Sequence, residues 1–194
     1  MSEVIHKRYP DAKVVRVQNK GLDIGPFLLA MDDILKSNKE YQRIIKLHTK
    51  KSLNHKMHEN YGNHWRTSLV NSLIGNVETY ERNKELMFSN QMIGSSEHTQ
   101  ITGGHRIFIE WLREAADLFQ IELKKKEYHY VGGTMFMADF QMIKKYFQRT
   151  SLLSVYKNLK EGYEKDFLLE HKIERIFGVM VEYDGSTIAK THQI

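Results

Sequence analysis

The chain has 194 residues, 41% hydrophobic and 11% aromatic, which suits one folded domain with a full core and excludes wholesale disorder. Its formal net charge of +5 and pI near 9.2 suit a phosphorylated or polyanionic ligand, although a solvated basic surface accounts for the same charge. It has no cysteine, which excludes a disulfide framework, a thiolate nucleophile and cysteine-ligated zinc.

Met1 to Asp11 lacks the apolar core of a signal peptide, and the longest apolar run, Pro26 to Met31, is too short to span a bilayer. Two prolines, no repeat and no low-complexity linker point to a single domain over residues 1–194. The expected location is the cytoplasm, with attachment to the cytoplasmic face of a membrane left open and the oligomeric state undetermined.

In chain order, Ala12 to Gln18 is valine-rich and partly alternating, which predicts a short strand. Asn19 to Gly25 is a turn with two glycines, and Pro26 stands at a favourable first helical position, so a helix follows to about Ser37. Arg43 to Leu47 predicts an apolar strand that breaks into a polar, cationic tip of His48, Thr49, Lys50, Lys51 and Ser52. Asn54 to Asn63 predicts a loop. Helices are expected over His64 to Ile74, Val77 to Phe88 and His105 to Phe119, the last with Ile107, Phe108, Trp111, Leu112, Ala115 and Phe119 on one face. Tyr128 to Met137 predicts a strand interrupted by Gly132 and Gly133, and a last long helix runs from Phe167 to Tyr183. Alternating strand and helix argues α/β with a mainly parallel sheet.

Four stretches carry chemistry. Asn19, Gly21 and Asp23 stand where a strand gives way to a helix N-terminus, which binds anions through free N–H groups and its dipole; a plain strand-to-helix turn is the competing reading. His48, Lys50 and Lys51 follow a buried-type strand, at the place where open α/β sheets put ligands; an idle surface loop competes. His171, Glu174 and Arg175 share one helix face, and a histidine beside carboxylates such as Glu170 suits a general base; an exposed, ion-paired face competes. Gly132 and Gly133 inside a strand pattern suggest a bulge or close approach of a ligand, with Met135 and Phe136 belonging to the core. Ten histidines, among them His55, His58 and His64, invite a metal reading, but their spacing fits no structural zinc pattern.

Taken in order, N-K-G-L-D-I-G-P-F (19–27), L-H-T-K-K-S (47–52), W-R with S-L-I-G (65–66 and 72–75), G-T-M-F (133–136) and E-H-K-I-E-R-I-F-G (170–178) resemble the rhamnan synthesis protein F family of polysaccharide-assembling glycosyltransferases. Each motif alone is weak; five in order are specific. The family is similar to the wider GT-A class, so the resemblance implies a GT-A-like fold, a mixed, mainly parallel sheet flanked by helices. The chain starts eighteen residues before Asn19, where a GT-A domain has a longer nucleotide-binding portion, so a shortened N-terminus is expected.

The resemblance implies transfer of a sugar, rhamnose among the candidates, from a nucleotide-diphosphate donor to a glycan acceptor, with inversion. Where GT-A relatives end a strand in Asp-x-Asp and hold a divalent cation, this sequence has His48-Thr49-Lys50, so positive side chains are expected to replace the metal against the diphosphate. No metal ligand and no cofactor is therefore assigned. His171 or Glu170 takes the place of the acceptor base, Glu174 and Arg175 fix geometry or meet phosphate, and Asn19, Gly21, Asp23, His48, Lys50 and Lys51 face the donor. Gly133 and Thr134 line the sugar or acceptor pocket, with Trp65 and Arg66 beside it. A non-catalytic carbohydrate- or nucleotide-binding subunit of a glycan assembly complex is the rival, and no aromatic–basic motif supports nucleic-acid binding.

Overall fold

The computed structural model describes residues 2–49, 61–103, 106–162 and 168–191. Helix α1 (Ser2–Arg8) precedes an extended segment, and α2 (Ile24–Lys36) leads into strand β1 (Arg43–Lys46). Helices α3 (Tyr61–Ile74) and α4 (Val77–Leu86) form a hairpin, followed by β2 (Met92–Ser95), β3 (Thr99–Gly103) and α5 (Arg106–Leu118). Strands β4 (Glu127–Val131) and β5 (Phe136–Asp139), helices α6 (Phe140–Phe147), α7 (Leu152–Asn158) and α8 (Leu169–Tyr183), and strand β6 (Ile188–Thr191) complete the order.

The main sheet has the order β1-β5-β2-β6, and β3 and β4 form a separate antiparallel ribbon. In the main sheet β5 runs antiparallel to both β1 and β2, and only β2 and β6 pair in parallel. The fold is therefore mixed α/β, and the expectation of a mainly parallel sheet is corrected. The reason lies in Gly132-Gly133-Thr134: Gly133 and Thr134 adopt φ of +84° and +49°, which ends β4 and sends the chain into the other sheet as β5. One expected strand is thus two strands in two sheets.

The predicted strand over Ala12 to Gln18 does not form; those residues pair with no strand, and Val14, Val15 and Val17 are exposed. β-propensity without a packing surface leaves a segment unpaired. Strands β2 and β6 escaped the reading because they are four residues long, and every residue of β2 is buried, so no alternation marks it.

Most helices follow their sequence signals. Helix α3, however, starts at Tyr61, inside the loop expected over Asn54 to Asn63, of which residues 54–60 lie outside the described ones. Helix α2 starts at Ile24, two residues before Pro26. Asn76 caps α4 by accepting the Thr79 N–H at 2.7 Å, while the Asn83 amide donates to Ser72 O and Leu73 O at the end of α3, closing the hairpin. Phe27, Phe136, Phe147 and Phe177 form an aromatic centre that ties α2, β5, α6 and α8, with Phe27 and Phe177 centroids 5.7 Å apart. Helix α8 lies hard against β4, because a Cβ at Gly178 would stand 1.8 Å from His129 O. The register pairs Lys46 with Phe136, so the end of β1 lies beside the Gly133-Thr134 corner that precedes β5.

Candidate functional site

Asp23 opens α2 but does not cap it; its side chain makes no cap hydrogen bond and turns toward β1. There Lys46 Nζ and Thr134 Oγ1 both donate to Asp23 Oδ2. Lys46 also donates to Thr134 O and Oγ1 at 3.0 Å, and lies 5.4 Å from the centroid of the Phe27 ring. Its side chain is 3% exposed, so the ammonium is a buried charge, paired to a carboxylate that is 21% exposed. Burial alone pushes the Asp23 carboxyl up, but the charges of Lys46 and His48 and the hydrogen bonds from Lys46 and Thr134 outweigh it, holding the carboxyl below its ordinary value.

His48 extends from the end of β1 with Nε2 2.6 Å from Gly133 O and 3.7 Å from Asp23 Oδ2. A carbonyl only accepts, so Nε2 carries the proton and the tautomer is fixed. On the other side of the corner Gly133 N–H donates to Glu174 Oε1 at 2.8 Å, and Arg175 Nη1 donates to Glu174 Oε2 at 2.9 Å and to His171 O at 2.7 Å. The Arg175 guanidinium lies against Tyr130 and Trp111, 4.8 and 5.2 Å from the ring centroids. Burial pushes the Tyr130 phenol up, with Arg175 opposing, and its O–H donates to Gln100 at 2.7 Å.

The corner therefore joins residues from four separated motifs: Asp23, His48, Gly133 with Thr134, and Glu174 with Arg175. Trp65, from a fifth, lies alongside: its ring atoms stand 3.5 Å from where a Gly133 Cβ would sit, and the His98 ring lies 5.5 Å from it. Arg66 turns away to Asn63 Oδ1 at 3.2 Å. Met135 and Phe136 are core residues, as read.

Other predicted residues are placed differently. Gly21 N–H already donates to Lys160 O at 2.7 Å, and a Cβ there would meet Leu159 Cδ1 at 2.3 Å, so this glycine serves a turn and a close approach. Asn19 is exposed and its carbonyl accepts Gly162 N–H at 3.0 Å. Glu170 is 2% exposed, and neither carboxylate oxygen has a hydrogen-bond partner among the described residues. Lys50, Lys51, His55 and His58 lie outside the described residues. His64 is exposed, and no group of three metal-ligating side chains occurs among the described residues.

Lys46, Tyr130 and Trp111 were missed by sequence reading. Lys46 had one signal: a lysine inside the apolar run Arg43-Ile44-Ile45-Lys46-Leu47, where a buried charge demands a partner.

Elements and site together define a mixed α/β protein with a charged cluster where β1, α2, the β4–β5 corner and α8 meet. The chain belongs to the rhamnan synthesis protein F family, whose model matches residues 1–185. Curated relatives include the uncharacterized protein WxcX of Xanthomonas campestris pv. campestris strain B100 and its counterpart in strain ATCC 33913. Each is 25% identical over 205 residues, covering 100% of this chain and 27% of the relative. The chain thus spans about a quarter of the length of these relatives. No solved structure matches it. Among the described residues, no helix is long and apolar enough to cross a membrane.

Proposed function

We propose that the chain is a GT-A-like glycosyl-transferring unit of polysaccharide synthesis, moving a sugar from a nucleotide-diphosphate donor to a glycan acceptor. The observation that carries this reading is the convergence of Asp23, His48, Gly133, Thr134, Glu174 and Arg175 on one corner. Membership in a rhamnan synthesis family supports a glycan as the substrate, with rhamnose a candidate sugar.

In this reading the acceptor oxygen attacks the anomeric carbon while the bond from that carbon to the diphosphate oxygen breaks, inverting the configuration. His171 takes the acceptor proton. Glu174, held by Gly133 N–H and Arg175, sets the distance between α8 and the corner. His48, with the neighbouring Lys50 and Lys51, takes up charge developing on the leaving diphosphate, in place of a divalent cation. Asp23, already paired to Lys46, stands 3.7 Å from His48 Nε2 and holds that ring at the corner. His171→Ala is expected to lower turnover about 100-fold or more with donor affinity unchanged; equal loss of both sinks the base assignment.

One observation favours a non-catalytic binding subunit: the carboxylates of Asp23 and Glu174 are both engaged inside the protein. A thermal shift with one nucleotide sugar, without release of nucleotide diphosphate from any, selects this second reading.

A further inference from the structure

From residue 3 to residue 18 no side chain is buried, and all are exposed except Ile5 and Ala12, which are half-buried. Yet this stretch holds large apolar side chains in water: Val4 is 72% and Tyr9 64% exposed, and Val14, Val15 and Val17 are exposed too. Exposed apolar side chains scattered singly are ordinary, whereas a run of them marks a contact surface. Interleaved with this run are Lys7, Arg8, Lys13 and Arg16, against two acids, Glu3 and Asp11. On α1, Arg8 shares a side with Val4 and Ile5, at i+4 and i+3. In the extended part, Lys13, Val15 and Val17 alternate with Val14 and Arg16, so each side carries valine and a cation. Neither side can enter a protein core without burying a charge.

We propose that residues 3–18 form an interfacial arm that seats the protein on an anionic lipid surface. Such a surface suits both halves of the arm's composition. Valines and Tyr9 enter the boundary between headgroups and acyl chains, while lysine and arginine stems lie along it and carry their charges to the phosphates. Asp33 of α2, which meets the arm through Lys13, is neutralised by that pair, and Asp32 beside it by Lys36. A second copy of the chain is a poorer occupant, because it brings the same excess of cations on the arm and a net charge of +5 overall. The contact is independent of the proposed glycosyl transfer.

The test is sedimentation with vesicles of phosphatidylcholine, with and without phosphatidylglycerol, beside light scattering and thermal unfolding of the protein alone. Wild type is expected to bind the phosphatidylglycerol vesicles at least about tenfold more tightly than the neutral ones, a difference that shrinks with added salt. Val14→Asp, Val15→Asp and Val17→Asp together should weaken that binding at least about tenfold, as should Lys7→Glu with Arg8→Glu. Both arm variants should melt as wild type does, since the replaced side chains are exposed. Lys124→Glu with Lys126→Glu, an equal charge change at exposed positions between α5 and β4, should weaken binding less than either arm variant does. The proposal is overturned by a wild type that does not prefer anionic vesicles, by undiminished binding of either arm variant, or by equal loss from the Lys124 and Lys126 pair. A lowered melting temperature in both arm variants places the arm against the protein itself and overturns it as well. So does a dimer in solution that the valine substitutions abolish, which assigns the arm to a second copy.

Discussion

Lys46 is the residue on which the corner depends. Its ammonium is buried with Asp23 and both oxygens of Thr134, and removing one member of such a pair leaves the other charge uncompensated. Asp23→Asn is expected to cost about 3 kcal/mol in urea unfolding. Pairing it with Lys46→Met should recover at least about 1 kcal/mol relative to additivity; strict additivity contradicts the pairing. The same contact sets a pH dependence. The Asp23 carboxyl titrates lower in the folded chain than in the unfolded one, so its contribution is complete above the ordinary carboxylate value of about 3.9 and is lost as pH falls through the folded value. Glu182 is also held low: burial pushes it up, and hydrogen bonds from Lys125 and His129 outweigh that, so it shares the acid window. Subtracting the Asp23→Asn curve from wild type between about pH 2 and 5 isolates the Asp23 part. A difference flat with pH excludes it.

Two elements hold the site in place, and each has a glycine test. At the β4–β5 corner, Thr134 is a β-branched residue at φ +49°, strain on the order of 1–3 kcal/mol that its bonds to Lys46 and Asp23 offset. Thr134→Ala keeps the strain and loses those bonds, whereas Thr134→Gly loses the bonds and relieves the strain. The glycine variant should therefore be the more stable of the two by about 1 kcal/mol; the reverse order shows that the corner is unstrained. On α8, Gly178→Ala should cost about 2 kcal/mol or more by forcing the helix off His129 O. Unchanged stability contradicts that contact.

Legibility followed length and periodicity at this scale. Helices α5 and α8 showed their apolar stripes over 13 and 15 residues, whereas β2 and β6 had four each and no usable pattern. The motif residues could be read in order, but not that Gly21 serves packing, because a glycine at a turn looks the same whether a ligand or Leu159 approaches it. Lys46 was overlooked because its partners are 23 and 88 residues away.

For the whole molecule, the mixed sheet brings α2, β1, β5 and α8 to one end, so motifs spread from Asp23 to Arg175 become neighbours. That arrangement explains why weak motifs acquire meaning only in order. It also gives the proposed reaction its central claim: charge on the leaving diphosphate is met by protein cations near the end of β1. The most direct test is release of free nucleotide diphosphate from a panel of nucleotide sugars, with a glycan acceptor, in the presence of EDTA. Release from one donor at a rate unaffected by the chelator is expected. Release abolished by EDTA and restored by a divalent cation contradicts that claim.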